Sequence, residues 1–152
     1  MAFHLWKKKP FFNETEIRQI TDAVKEAEVR TSGEVRVFVE SHCKFMDAID
    51  RAVEIFFQLK MDKTADRNAV LVYIATKDRQ LAVFGDQGIH QRVGTEFWQR
   101  EVGVMVKRFN KDDYATGISE VIRHIGESLH KHFPYDKATD KNELPDDIVF
   151  GK

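Results

Sequence analysis

The sequence predicts an α/β protein, a three-layer α/β/α sandwich with a small mixed sheet of three to four strands. Two observations predict this class. Apolar residues recur every three or four positions in several long stretches, which is typical of amphipathic helices, and three short valine-rich stretches have strand patterns. The elements follow in the order α-β-α-β-β-α-α, so we expect helices on both faces of the sheet.

Composition indicates one globular domain. The chain has 152 residues, and its formal net charge of -1 gives no bulk attraction to nucleic acid. The single cysteine, Cys43, excludes an internal disulfide. No apolar run is long enough for a membrane span, and the N-terminus lacks the order of a signal peptide, so we expect a cytoplasmic protein. No pattern identifies a protein partner or an oligomeric state.

The first half of the chain contains a β-α-β unit. The first helix is predicted to begin at Asn13, because Asn13 and Glu16 have the spacing of a capping box. Gly33 is the expected break after this helix. A strand with alternating valines follows at residues 34–41, and a second helix at residues 44–60 leads to the next strand.

The second strand, at residues 68–75, is apolar on both faces and is therefore expected in the centre of the sheet. It runs parallel to the first strand, because the two are joined through a helix. A polar turn and residues 80–86 complete a hairpin. A third helix is predicted over residues 89–110, with Gly94 as the place for a break, and a fourth over residues 112–132.

These elements define one folded domain with a tail on each side. The domain is predicted to span residues 13–133, between an N-terminal tail at 1–12 and a C-terminal tail at 134–152. The sequence DIVF, at 147–150, is a candidate for a short edge strand.

The predicted topology brings three polar loops to one edge of the sheet. Parallel strands one and two begin at this edge, and the antiparallel third strand ends there. The loops are residues 31–34, 62–68 and 85–88, and each carries carboxylates or hydroxyls. The third helix begins near the same edge, where its unpaired N–H groups favour an anion.

The second of these loops has the donor pattern of half a calcium site. Oxygen-bearing residues occupy every second position from Asp62 to Asn68, as in the first half of an EF-hand loop. Arg67 replaces the glycine required at the sixth position, and Tyr73 replaces the glutamate required at the twelfth. The loop is therefore not an EF-hand, and a metal here needs ligands from the other two loops.

Hard cations such as calcium prefer six to eight oxygen ligands. The side chains predicted to supply them are Glu34, Asp62, Asp66, Asn68 and Asp86. The alternative is that these residues only cap helices and shape turns, for which Asp, Asn and Thr are common. His90 lies near the same edge, and at such a position a structural role is more common than a ligand contact.

Three segments resemble the TPM domain family over residues 12–133: RTSGEVRVFVE, MDKTADRNAVLVYIATKDRQLAVFGDQGIH and FWQREVGVMVKRFNKDDYATGISEVIRHIGESLHKHFP. The most specific pieces are Ser32-Gly33-Glu34, Arg67-Asn68, Gly85-Asp86 with Gly88-Ile89, and the spaced Phe109, Tyr114 and Gly117. The resemblance implies an α/β/α sandwich whose loops bind divalent cations near the sheet edge. It makes calcium the first candidate, with magnesium or another hard cation as the alternative.

Two functions are compatible with this resemblance. The first is a stand-alone, metal-responsive regulatory or partner-binding domain. The second is a low-activity, metal-assisted acid phosphatase, since relatives include a thylakoid-lumen acid phosphatase. In that case Arg67 would clamp phosphate, and Asp66 or Asp86 would act as base or nucleophile. The sequence contains no recognised phosphatase motif.

Overall fold

Four strands form one mixed sheet in the computed structural model, which describes residues 11–136 and 148–151. They are β1 (Glu34–Glu40), β2 (Ala69–Ala75), β3 (Gln80–Gly85) and β4 (Val149–Phe150), in the order β3-β2-β1-β4. β1 is parallel to β2 and β4, whereas β3 is antiparallel to β2. The sheet confirms the mixed topology and the short edge strand that the sequence predicts.

Helices cover both faces of the sheet, which confirms the α/β/α sandwich. They are α1 (Glu14–Glu28), α2 (Ala48–Gln58), α3 (Gln87–Val93), α4 (Thr95–Phe109) and α5 (Tyr114–His132). On one face α2 packs against β2 and β3 through residues such as Phe56. On the other face α1, α4 and α5 share a larger core with Val35 and Val37 of β1. Every residue of β2 is buried, as its two apolar faces predict.

The first helix agrees with prediction, whereas the second is shorter than predicted at both ends. Asn13 caps α1 with the predicted capping box, and the helix ends at Glu28, just before the stretch 30–34 where the sequence predicts its end. α2 ends at Gln58 and not at residue 60. α2 begins at Ala48, four positions later than predicted. Phe45 has a left-handed φ of 66°, and Asp78 accepts a hydrogen bond from the Cys43 N–H, so this segment is held outside the helix.

The predicted third helix is broken at Gly94, which gives α3 and α4. The φ of Gly94 is 79°, a conformation that glycine adopts readily. α3 begins at Gln87, two residues earlier than predicted, because Asp86 caps it by accepting the Gln87 N–H.

Strand register determines which residues lie at the edge where the three polar loops are expected. Glu34 of β1 pairs with Ala69 of β2, and Val70 of β2 pairs with Gly85 of β3. The first residues of β1 and β2 and the last residue of β3 therefore share one edge, which we call the loop edge.

Parts of both predicted tails lie outside the described residues, namely 1–10 at the N-terminus and 137–147 and 152 at the C-terminus. Among the helices that the structure describes, none has the length and apolar character needed to cross a bilayer.

Candidate functional site

The three polar loops are joined to one another at the loop edge, as the topology predicts. The Asn68 side-chain amide donates to Ser32 Oγ at 3.2 Å, and the Glu34 N–H approaches the Asn68 carbonyl at 3.5 Å. The Gly88 N–H donates to the Arg67 carbonyl oxygen at 2.8 Å. Hydrogen bonds therefore connect the loop before β2 to the loop before β1 and to the start of α3.

Gly88 allows the closest of these approaches. A Cβ atom at this position would lie 2.1 Å from the carbonyl oxygen of Asp66 and 2.7 Å from that of Arg67. Both obstacles are backbone atoms, so they cannot move aside as a flexible side chain can. Any other residue at this position would push the two loops apart.

An ion pair between Arg67 and Asp86 is the main side-chain contact across the loops. Arg67 Nε lies 2.6 Å from Asp86 Oδ2, and Arg67 Nη2 lies 2.8 Å from Oδ1. Oδ1 also accepts the N–H of Gln87 at 2.8 Å. Asp86 is 4% exposed and Arg67 is 36% exposed, so the pair is buried on one side and open on the other.

A second carboxylate acts on the same guanidinium. The hydrogen bond with Asp86 raises the pKa of Arg67, opposed by partial desolvation, and the negative charges of Asp86 and Asp62 raise it further. Asp62 itself is partly buried, 3.5 Å from the Lys63 ammonium. The loop edge therefore already attracts a positive charge, and Arg67 supplies it.

The remaining predicted ligands have different surroundings. Asp66 is exposed, whereas Glu34 is buried at the start of β1. Asn68 is buried, and its N–H donates to the hydroxyl of Thr64 at 3.3 Å. Thr64 thus shapes the loop. In the ranges 11–136 and 148–151, no three His, Cys, Asp or Glu side chains are grouped so that they could hold a metal ion.

An apolar cleft of about 870 Å³ opens beside the ion pair. It is lined by residues 81–85 of β3, by Ile49 and Phe57 of α2, and by Trp98 and Val102 of α4. We call it the edge cleft. Its polar end contains Arg67, Asp86, Gln87 and His90.

Trp98 determines which ring nitrogen of His90 carries the proton. The Trp98 indole N–H lies 2.9 Å from His90 Nδ1. Because an indole N–H can only donate, Nδ1 accepts, and the neutral ring carries its proton on Nε2. His90 therefore presents an N–H donor at the polar end of the edge cleft.

Sequence reasoning missed a second ion pair, at the opposite edge of the sheet. Glu40 ends β1 and is 6% exposed, and both of its oxygens accept from Arg51 of α2, at 2.9 and 3.0 Å. The Tyr73 hydroxyl also donates to Glu40. Burial would raise the pKa of Glu40, but the bonds from Arg51 and Tyr73 and the charge of Arg51 lower it below its usual value.

A signal for this pair was present in the sequence. β2 is apolar on both faces, so its parallel neighbour β1 is also covered on both faces. A carboxylate at the end of such a strand needs a cationic or hydrogen-bonding partner. The alternating valines of β1 do not by themselves identify that partner.

Comparisons with known proteins give a consistent result. The chain is similar to the BA42 protein of the psychrophilic bacterium Bizionia argentinensis, with 36% sequence identity, a TM-score of 0.86, and coverage of 95% of this chain and 99% of that chain. It has the same fold as the N-terminal domain of the cg2496 protein of Corynebacterium glutamicum, at 13% identity and a TM-score of 0.62, over 78% of this chain and 74% of that chain. No curated protein matches.

The family model described as the TPM domain matches residues 7–128, which include the loop edge and all residues that line the edge cleft. The resemblance inferred from the loop motifs is therefore confirmed. The chain belongs to the TPM domain family.

Proposed function

We propose that this chain is a divalent-cation-responsive binding domain, with calcium as the first candidate and magnesium or another hard cation as the alternative. The observation that carries the proposal is that Arg67 and Asp86, from two of the three loops, form a two-bond ion pair in which the carboxylate is buried. A site that already favours one positive charge is a suitable place for a metal ion to compete for the same oxygens.

The donor types fit a hard cation. Carboxylates of Asp62, Asp66 and Asp86, the amide of Asn68 and the carboxylate of Glu34 are the kinds of oxygen ligand that calcium accepts. In the described arrangement both oxygens of Asp86 are engaged. A cation at Asp86 would therefore compete with the guanidinium of Arg67 for these oxygens.

This competition would make the domain responsive. A cation that displaces Arg67 changes the contacts between residues 62–68 and 85–88, and it turns the guanidinium toward the edge cleft that Arg67 lines. Occupancy of the cation site would then alter a neighbouring binding surface. A ligand that binds one of two arrangements shifts the population by its difference in affinity.

A calcium titration tests the proposal. We expect calcium to shift the backbone amide signals of residues 62–68 and 85–88 and to raise the melting temperature. Asp62→Asn should weaken the apparent affinity several-fold, because the number of charged ligands determines calcium affinity. The matched control is Asp22→Asn, at an exposed position of α1. If neither the amide signals nor the melting temperature responds at millimolar calcium, the proposal is wrong.

The alternative, a low-activity metal-assisted acid phosphatase, stays a prediction that no described contact favours. Asp86, a candidate base or nucleophile, already accepts bonds from Arg67 and Gln87. Arg67, the candidate phosphate clamp, is held by the same carboxylate. Turnover of a chromogenic phosphate ester that Asp86→Asn abolishes would support it.

A further inference from the structure

We propose that the edge cleft binds an extended peptide segment that adds a strand to β3 and places a carboxylate at Arg67. The inference rests on the free edge of β3, the apolar walls beside it and the donors at its end. It goes beyond the cation site, and its test does not require a bound metal.

The edge cleft lies along the side of β3 that faces away from β2 and not over one face of the sheet. Five consecutive residues, 81–85, line it. Successive side chains of a strand point to opposite faces, so a site on one face would include only alternate residues. The walls agree with this, because α2 and α4 lie on opposite faces of the sheet and both line the cleft.

The edge of β3 presents backbone groups for a further strand. The Asp86 N–H donates to the carbonyl oxygen of Ala69, so this pair is of the hydrogen-bonded kind. Such pairs alternate along an antiparallel ladder, so Leu81, Val83 and Gly85 direct their N–H and C=O groups away from β2. No other described residue hydrogen-bonds these outward groups.

The edge also lacks the usual protection against strand addition. Exposed edge strands commonly carry charges, prolines or bulges that prevent pairing with another chain. The sequence of β3, QLAVFG, has no charge and no proline, and its pairing with β2 is continuous. Beside it Ile49 and Phe57 are 45% and 49% exposed, so apolar surface lies open next to the strand.

These features select a peptide as the occupant. A small apolar molecule could contact the apolar walls of the edge cleft, but it would leave the outward N–H and C=O groups of β3 without partners. The main chain of an extended peptide can hydrogen-bond both kinds of group. The polar end offers donors, from the guanidinium of Arg67 and from His90 Nε2–H. Only two of the five guanidinium N–H groups bond Asp86, so others can bind an incoming carboxylate.

The carboxylate has two sources that chain direction distinguishes. Arg67 lies at the C-terminal end of β3, so a C-terminal carboxylate reaches it only from a peptide parallel to β3. An aspartate or glutamate side chain can reach it from either direction. A second copy of this chain fits less well, because two concave clefts placed edge to edge cannot fill each other.

Selection from a random peptide library tests the proposal on the full chain. The probe is a library of six-residue peptides, the length of β3, with free C-termini. We expect binders with alternating apolar residues that shift the amide signals of Leu81, Val83 and Gly85. Phe57→Asp should weaken binding about tenfold, as for an apolar anchor at an interface. Phe45→Asp, at a fully exposed phenylalanine outside the edge cleft, should leave affinity unchanged.

Modified peptides keep the test valid even if a protein variant folds poorly. N-methylation of the alternate peptide amides that face β3 should abolish binding, because it removes the strand hydrogen bonds, whereas N-methylation of the other set should not. Amidating the C-terminus should abolish binding if the terminal carboxylate binds Arg67. Replacing Asp and Glu of the peptide with Asn and Gln should abolish it if a side-chain carboxylate binds Arg67. The proposal is wrong if no peptide is selected, or if binding survives N-methylation of the amides that face β3 or the loss of every carboxylate. It is also wrong if decanoate binds as well as the peptides do. A dimer seen by light scattering that Leu81→Pro disrupts would contradict it too.

Discussion

Two arginine–carboxylate pairs lie at opposite edges of the same sheet, and they differ in the elements and side chains that hold them. Arg51 and Glu40 come from a helix and a strand, and Tyr73 closes the pair with a third bond. Arg67 comes from a loop, has a left-handed φ of 51°, and lines an open cleft. We call the Arg51–Glu40 pair the closed pair, because a third side chain holds it, and the Arg67–Asp86 pair the open pair, because its arginine lies in a loop at the edge cleft.

The largest expected effect is at the closed pair. Arg51→Met leaves the buried Glu40 without its cation, and breaking a buried pair in this way costs about 3 kcal/mol. Urea unfolding measures the loss. The same substitution at Arg67 should cost less, because the Arg67 side chain is 36% exposed against 25% for Arg51, so water screens more of its interaction with the carboxylate. Equal losses at the two positions would remove the distinction between a closed and an open pair.

Gly88→Ala should give the next largest effect. The added methyl group meets the backbone oxygens of Asp66 and Arg67, and overpacking of this kind costs about 2 kcal/mol. The matched control is Gly103→Ala in α4, where a Cβ meets no atom within 4 Å. That change should stabilise the protein by up to ~1 kcal/mol, since alanine is the better helix former. If the free energy of unfolding of Gly88→Ala is not lower than that of the wild-type chain, the loops can move apart without cost.

A smaller effect is expected on the free energy of unfolding at acid pH. The folded-state pKa of Glu40 lies below the usual value of 4.5, so its contribution is present above that pH and is lost as the pH falls through the folded-state pKa. Glu40→Gln should reduce the loss of unfolding free energy as the pH falls from neutral to below 4.5, where the carboxylate of the wild-type chain becomes protonated. Parallel curves for the two proteins would contradict this.

The two edges also show how far sequence reasoning extends. The position of Arg67 and Asp86 near each other follows from strand order, because parallel strands begin at a common edge and all three loops are polar. The pairing itself does not follow, since spacing does not determine where a loop arginine points. The pattern of β1 does not show which partner Glu40 has, and Arg51 of α2 and Tyr73 of β2 supply it only in the folded structure. Patterns within one element thus predicted the layers, whereas contacts between elements determined the ion pairs.

The last prediction concerns the open pair and has the smallest effect on stability. If Arg67 competes with a metal ion for Asp86, then Arg67→Met should bind calcium more tightly than the wild-type chain, because the carboxylate no longer has an internal partner. Arg67→Lys should lie between them, since lysine keeps the charge but lacks the paired donors. Calorimetric titration measures the affinities, with Arg100→Met at an exposed position of α4 as the control for lost charge. If Arg67→Met binds calcium no more tightly than Arg100→Met does, the guanidinium is not a competitor, and the open pair is only a weaker version of the closed one.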